Sequence, residues 1–519
     1  MIYFDLFGCP AIFEYMFVRK KNNKSGTVSI QIIDKSRGKY RVAHTVGSSA
    51  DPDEVSYLLR KAYTLMPSLI GQSSINFLGD NTKTLIQSLR DVQTDQVQVD
   101  GPEKVFGKIF DDIGFGEITQ DLFRHLVITR LVYPGSKLKT IDYLERYKGI
   151  SLDISKVYRF LDTLHRELKD QIEQITFNYT KDVLGGKLAI VFYDMTTLYF
   201  EASDEDDLRI AGFSKDGKSS NPQILLGLLV GVGGYPIGYE IFEGNKFEGH
   251  TLIPVLEHFE AKFNLSKPIV IADAGLLSGD NLKVLTEKHY QFILGGRIKN
   301  ESKSIQNKIL ANPVSDGMFM VIHKTDDLRL VVNYSDKRAQ RDLHNRKRGL
   351  KRLEKNLNKG KLTKSHINNR GYNKYLKLEG DIKIQIDYEK FDTDSKWDGS
   401  KGYLTNTNLS AKEVIENYNQ LWQIEKAFRI SKTDLKIRPI YHRNRNRIEA
   451  HICIAFVAYT IYKEVERRLF ERNVSLSPAR VAELTKTMYS ISLKIPETNQ
   501  WETIPFKWTE EQNLIKKIL

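Results

Sequence analysis

LAIVFYDM, residues 188–195, is a continuous apolar run that closes on Asp194. An unbroken apolar run this short reads as a strand buried on both faces, as in sheets covered by helices. A second run of this kind, PIVIAD at 268–273, closes on Asp273. Between them QILLGLLVGV (223–232) and YPIGYEIFEG (235–244) flank Gly233-Gly234, a hairpin turn signal. A helix is expected from Thr251 to Phe263 and over NLKVLTEK (281–288), with FILGG (292–296) a further strand. The order strand, strand, strand, helix, strand, helix, strand predicts an α/β fold. The hairpin makes the sheet mixed, with a parallel part and flanking helices, the order expected of a ribonuclease-H-like core.

Both aspartates are read at the carboxyl ends of strands, where sites form in open α/β sheets. A third carboxylate comes from SAKEVIENYNQLWQIEKAFRISK, residues 410–432. This stretch is expected to be one helix. Ser410 and Glu413 make a capping box, no Gly or Pro interrupts it, and Val414, Ile415, Tyr418, Trp422 and Ile424 recur near the helical period. Tyr418, Trp422, Glu425, Arg429 and Lys432 would share one face. Taken alone, that face is more simply a solvated charged edge beside an apolar stripe. Joined to Asp194 and Asp273, Glu425 completes three carboxylates able to hold two hard cations roughly 3.5–4 Å apart. One cation would activate water or a 3′-hydroxyl and the other would stabilise the leaving oxygen of a phosphodiester. His250, His442 and His451 lack zinc-type spacing and are assigned structural or phosphate-facing roles. A phosphotransferase nucleophile in YDMTT would want a second Asp two residues on, where Thr196 stands.

At 519 residues two to four domains are expected, and 41% hydrophobic with 28% charged residues suits a globular, ordered chain. Lys and Arg number 78 against 65 Asp and Glu, a net +13, which makes nucleic acid the first candidate partner. Two cysteines, Cys9 and Cys453, argue against a disulfide framework or a Cys-based zinc site and for a reducing cytoplasm. The opening MIYFDLFGCPAIFEYMFVRKK lacks an early basic region and carries Asp5, Pro10 and Glu14, unlike a secretory signal. Ile452 to Tyr462 is too short to cross a bilayer, so no membrane association is expected.

Residues 1–100 read as a small β unit with a linker. TVSIQII and KYRVAHTV are its strands, DKSRG its turn, and DVQTDQVQVD (91–100) the linker. Residues 101–184 read as a helical, DNA-binding region. SKLKTIDYLERY (136–147) and ISKVYRFLDTLHREL (154–168) fit a helix-turn-helix capped by Ser151 or Asp153, although an ordinary bundle fits as well. Lys156 and Arg159 suit phosphate contact under either reading. The core occupies 185–302 and 401–470, interrupted at 303–400 by a basic insertion. FMVIHK, LRLVVNY and DIKIQIDYEKF are its strands, and KRAQRDLHNRKRGLKRLEKNLNKGKLTK (337–364) its basic helix. Leu343, Leu350, Leu353 and Leu357 would pack on neighbouring strands, while Arg346, Lys347, Arg348, Lys351 and Arg352 are assigned to phosphate. Arg443, Arg445 and Arg447 are read in a polar loop before a long apolar helix that covers one face of the sheet. Residues 471–519 form a C-terminal region in which Pro478 opens a helix.

Taken together, YDMTTLYFE (193–201), GFSKDGKSSNPQILLGLLV (212–230), IADAGLL (271–277), ILGGRIK (293–299), YNQLWQIEKAFRISKTDLKIRPIYH (418–442) and RIEAHICIAFVAYTIY (447–462) resemble a bacterial insertion-sequence transposase with a DDE domain. The resemblance is to the branch with a Tyr–Arg–Glu–Lys signature and a β-rich insertion before the catalytic Glu. LVYPGSKLKT and SKVYRFLDTL fit too, and the likeness runs from about Glu14 to Ser490. It implies that Asp194, Asp273 and Glu425 are the catalytic, metal-binding triad, with two Mg²⁺ or Mn²⁺ ions. It puts the signature Tyr at Tyr418 and the signature Lys at Lys432. The signature Arg falls on Leu421, a departure for which Arg429 or Arg297 would supply the charge. The implied activity is cleavage at terminal inverted repeats and joining to target DNA, by a homodimer synapsed on DNA and associated with the bacterial nucleoid. The alternatives are a non-mobile metal-dependent nuclease on the same core and a domesticated, non-catalytic DNA-binding protein. The last predicts a lost carboxylate, and all three are present.

Overall fold

The computed structural model describes residues 16–35, 38–69, 97–214, 217–218, 220–265, 267–368, 371–379, 383–494 and 500–519. Cys9, the middle of the DKSRG turn and residues 91–96 of the expected linker lie outside these. The chain forms two compact units, Met1–Val92 and Gln93–Leu519. In the first, strands Met16–Asn22, Val28–Asp34 and Arg41–Ser49 pair antiparallel in chain order. Ile30 and Ile32 of the middle strand bury against Val55, Ala62 and Met66 of a helix, Pro52–Leu69, that the strand pattern alone does not announce.

The second unit begins with Val97–Val99. Its VQV alternation buries Val99 and makes it a strand, antiparallel to Tyr489–Lys494, where a linker was expected. Helices Asp121–Val132, Lys137–Lys148, Ile154–Thr163 and Lys169–Val183 follow. Asp153 caps the third, its carboxylate accepting from the Ser155 N–H at 2.7 Å.

The central sheet has nine strands among the described residues. Its first core strand is Ile190–Tyr199, the second Pro222–Gly231, the third Pro236–Glu243, the fourth Ile269–Ala272 and the fifth Phe292–Gly296. The first three pair antiparallel, first with second and second with third. The first pairs parallel with the fourth, and the fourth parallel with the fifth. Gly233 and Gly234, at φ 78° and 79°, make the hairpin turn in a backbone region open to glycine. The first core strand runs five residues beyond Asp194, so that aspartate sits within the strand and not at its end. What ends there is the parallel pairing.

Three further strands extend this sheet, two of them from the basic insertion. Ser400–Thr405 pairs with the fifth core strand, Arg329–Tyr334 with Ser400–Thr405, and Phe319–His323 with Arg329–Tyr334, all antiparallel. The basic helix Asp336–Asn358 buries Leu353 against Tyr375, Leu376, Ile386 and Phe391, with Leu350 and Leu357 partly covered, whereas Leu343, the first leucine of the expected stripe, is 38% exposed and packs outside this cluster.

The sheet is covered on both faces. Phe192 and Leu198 of the first core strand, and Phe200 just past it, join one apolar cluster with Ile424, Ala427 and the long helix Arg445–Glu471. Val191, Tyr193 and Met195 join another, with the helix Leu252–Phe263. Side chains alternate along a strand, so Asp194 lies on the face of the long helix. Arg445 and Arg447 belong to that helix, and only Arg443 lies in the loop before it. Arg447 pairs with Asp162 and Arg445 with Glu449.

Candidate active site

The parallel rungs between the first and fourth core strands end at Tyr193↔Ala272. Asp194 is the next residue of the first strand, and Asp273 is the first residue past the end of the fourth. They therefore follow the last parallel rung on two adjacent strands. The Met195 N–H donates to Asp194 Oδ1 at 2.7 Å, and the Gly275 N–H to Asp273 Oδ1 at 2.8 Å. These bonds orient both carboxylates where the parallel pairing ends.

The capping box at Ser410 and Glu413 forms as expected, but the helix it opens is not continuous. It ends at Asn419, and a second helix runs Trp422–Thr433. Between them Leu421 N–H donates to Tyr418 O at 3.0 Å and Ile424 N–H to Leu421 O at 3.2 Å, three-residue steps that tighten the turn. Leu421 is buried in the apolar cluster, which explains why the break needs no glycine or proline. The break also parts the expected face. Tyr418 is buried, whereas Trp422 is 55% exposed.

Tyr418 connects the parts of the site. Burial, followed by the charge of Asp273, neighbouring Tyr403, and the charges of Asp194 and Glu425, raises its hydroxyl above the usual range. All three carboxylates are thus within electrostatic reach of one phenol, which stays protonated and able to donate. Its approach needs Gly295 in the fifth core strand, where a Cβ would meet the Tyr418 Oη at 2.6 Å. Glu425 is exposed on the glutamate helix, while Ile424, Ala427 and Phe428 beside it enter the core. Among the described residues neither Asp273 nor Glu425 is held in an ion pair, so their charge is not neutralised from within.

One cation of the site escaped the sequence reading. Lys401, in the strand Ser400–Thr405, places its ammonium 4.3 Å from the centre of the Tyr418 ring and 5.5 Å from that of Tyr403. Burial, with Arg338 and Arg341 nearby, pushes its pKa down to about 8, and Glu425 acts in the opposite direction. The available signal was the i, i+2 spacing of Lys401 and Tyr403 on one strand face, in a segment read as the start of the second part of the core.

The other expected residues are dispersed. Arg297 is exposed and reaches the Gly275 carbonyl at 3.4 Å, beside the Asp273 loop. Arg429 is exposed, and its charge is felt at Tyr462 of the long helix. Lys432 is half-buried at the end of the glutamate helix. Lys347, Arg348, Lys351 and Arg352 are exposed on the basic helix. Arg346 is not available there. It is 6% exposed, paired with Asp398, and stacked 5.0 Å from the Phe391 ring centre. The helix face that packs Leu353 near Phe391 takes Arg346 inward as well.

A family model described as a transposase DDE domain matches residues 186–461, more than half of the chain. The chain belongs to the transposase DDE-domain family. The matched span of this DDE domain contains Asp194, Asp273, Tyr418 and Glu425. No curated protein matches the sequence. Among solved structures, a piggyBac transposase synaptic complex with hairpin DNA, seen by cryo-EM, is similar at 12% identity. That likeness covers 70% of this chain and 69% of that one, with a TM-score of 0.39.

Carboxylate oxygens are the donors a hard divalent cation takes, and the neighbouring Asp194 and Asp273 of the DDE domain fit one. Among the described residues no three His, Cys, Asp or Glu side chains stand close enough together to hold an ion. Glu425 therefore lies outside the aspartate pair in this arrangement.

Proposed function

We propose that this DDE-domain protein is the transposase of an insertion sequence, cleaving DNA at terminal inverted repeats and joining the ends to a target. The observation that carries the reading is the Tyr193↔Ala272 rung, which makes Asp194 and Asp273 neighbours within reach of the Tyr418 hydroxyl. The strand order third, second, first, fourth, fifth, with parallel pairing only on the fourth-strand side, supports a ribonuclease-H-like core.

Asp194 and Asp273 would hold Mg²⁺ or Mn²⁺, with Glu425 as the third ligand and two ions in the complete site. Bound there, the ions would activate the attacking oxygen and stabilise the leaving one. The remaining roles belong to side chains. The protonated Tyr418 donates a hydrogen bond to a non-bridging phosphate oxygen. Lys401, over its ring, balances phosphate charge. Lys432, Arg429 and Arg297 contact flanking phosphates, and Lys347, Arg348, Lys351 and Arg352 track the duplex backbone. Two copies would synapse the two ends.

The test is a labelled duplex ending in the repeat that flanks the gene, incubated with Mg²⁺ and a target plasmid. Asp194→Asn, Asp273→Asn and Glu425→Gln should each lower cleavage on the order of a thousandfold, ~4 kcal/mol of transition-state stabilisation. End binding should change only a few-fold. Near wild-type cleavage by any of the three overturns the triad. Cleavage by the wild type without a joined product would make it a nuclease.

A further inference from the structure

A cavity of about 520 Å³ opens where the helix Asp121–Val132, the start of the helix Lys137–Lys148 and the segment Lys436–His442 meet. Its lining carries Arg130, Lys137, Lys139, Lys436 and Arg438, and no Asp or Glu. Two of these cations are inside the protein, Arg130 at 4% and Lys137 at 6% exposure.

The partners of Arg130 orient it without neutralising it. Its guanidinium donates to the Leu435 and Lys436 carbonyls, each at 3.4 Å, and lies 3.5 Å from His451 Nδ1. His451 Nε2 lies 2.9 Å from the Ile437 carbonyl, which fixes the proton on that nitrogen and leaves Nδ1 as the acceptor. The Lys137 ammonium makes no hydrogen bond or ion pair among the described residues. Burial, reinforced by Arg130, drives its pKa well below the usual lysine range. Burial, with Lys137 and Arg130 close by, also pushes His442 down to about 3.

A fold rarely buries two cations together without a counter-charge, because the desolvation loss is large and the repulsion adds to it. The cavity also faces the positive end of a twelve-residue helix, through Gly135, Ser136 and Lys137. The missing counter-charge is an anion.

We propose that this cavity binds a backbone phosphate of the DNA end, a contact site separate from the carboxylates. The proposal rests on the reading of the chain as a transposase and adds a named phosphate subsite to it. The cavity connects to the catalytic strand. The Ile440 N–H donates to the Tyr199 carbonyl at 3.4 Å, and the Arg438 guanidinium lies 5.6 Å from the Tyr199 ring centre. Tyr199 is five residues along the strand from Asp194, about 17 Å of extended chain. That length is the axial rise of roughly five base pairs, and it carries the catalytic strand from Asp194 to the segment that lines the cavity. The motif LVYPGSKLKT supplies Pro134, Gly135, Ser136, Lys137 and Lys139 of the lining, and nothing in the carboxylate chemistry accounts for it.

The experiment uses the full chain, with inorganic phosphate and then an inverted-repeat duplex as probes. Without phosphate, Lys137→Met should melt above the wild type, since an unpaired buried charge is removed. Replacing chloride by phosphate at equal ionic strength should raise the wild-type melting temperature and leave that of Lys137→Met nearly unchanged. On DNA, Lys137→Met should lower the slope of log affinity against log salt by about one and weaken binding about tenfold. Lys139→Gln, on the exposed rim, should move the slope in the same direction without changing melting. Equal phosphate protection of wild type and Lys137→Met overturns the anion site. Protection that depends on Lys137 with an unchanged DNA slope overturns DNA as the source of the phosphate. A wild type that binds no duplex at any salt overturns the transposase reading, and the melting comparison still decides whether the cavity takes an anion.

Discussion

The basic helix Asp336–Asn358 and the cavity around Arg130 and Lys137 use the same residue types in opposite ways. On the helix, Lys347, Arg348, Lys351 and Arg352 stand in water, where a cation keeps its hydration and its field is screened within about 8–10 Å. In the cavity, the charges are stripped of water and left unbalanced. Arg346 lies between these cases, buried on the helix but paired with Asp398. Charge density along a sequence therefore marks a surface. A site is marked by cations whose burial the fold leaves uncompensated, and only three dimensions show that.

The sharpest way to break the comparison is to remove the exposed charges as a group. Changing Lys347, Arg348, Lys351 and Arg352 to Gln should flatten the salt slope by roughly three to four and weaken DNA binding on the order of a hundredfold at moderate salt, with little change in melting. Arg346→Gln should behave in reverse. It strands Asp398 half-covered, so melting should fall, by the equivalent of about 1–3 kcal/mol, while the salt slope stays put. If the quadruple variant keeps its slope, the helix is packing and solubility, and the contrast with the cavity loses its first term.

A smaller effect is expected at Lys401, a half-buried cation whose neighbours include a carboxylate as well as arginines. Lys401→Met should slow single-turnover cleavage about tenfold, ~1.4 kcal/mol, with end binding nearly unchanged. Lys401→Arg should recover part of the rate. A variant that loses binding and rate together would place Lys401 with the surface cations of the basic helix.

The core was legible because its signals are local. Apolar runs ending near Asp194 and Asp273, and a hairpin at Gly233-Gly234, survive in the structure with the pairing they imply. The capping box at Ser410 was legible for the same reason. The break at Leu421 was not, since it follows from burying that side chain in a core built by distant segments. The inward turn of Arg346 needed its partners Asp398 and Phe391 to be seen. Lys401 needed the strand pairing that carries it to Tyr418, and the cavity gathers residues from 130 to 451. Leu421 also sets a limit on repair. Placing Arg there would bury a charge among Ile424, Ile430 and the long helix, so the signature cannot be restored by that change alone.

The smallest expected effect separates the two regions by pH. His442 faces Lys137 and Arg130 across the cavity and Arg447 on the long helix, with only Asp162 drawing its proton affinity upward. Burial is the largest cause, and the folded pKa falls to about 3, against about 6.5 for a free imidazole. The folded state thus binds fewer protons than the unfolded one between these values. Stability from this group is complete above about pH 6.5 and is lost as pH falls toward 3. Fully buried His451 shifts the same way and adds to the loss. The exposed basic helix buries no imidazole. Melting temperature should therefore fall between pH 7 and pH 5, and His442→Gln should shallow that fall by a few degrees. Removing the four helix charges should leave the fall unaltered. Phosphate should shallow it in the wild type as well, since an anion in the cavity raises the proton affinity of His442. If wild type and His442→Gln lose stability in parallel, the imidazole is not feeling the cavity's charge. The cations would then be compensated in solution, and the distinction between the two regions would collapse.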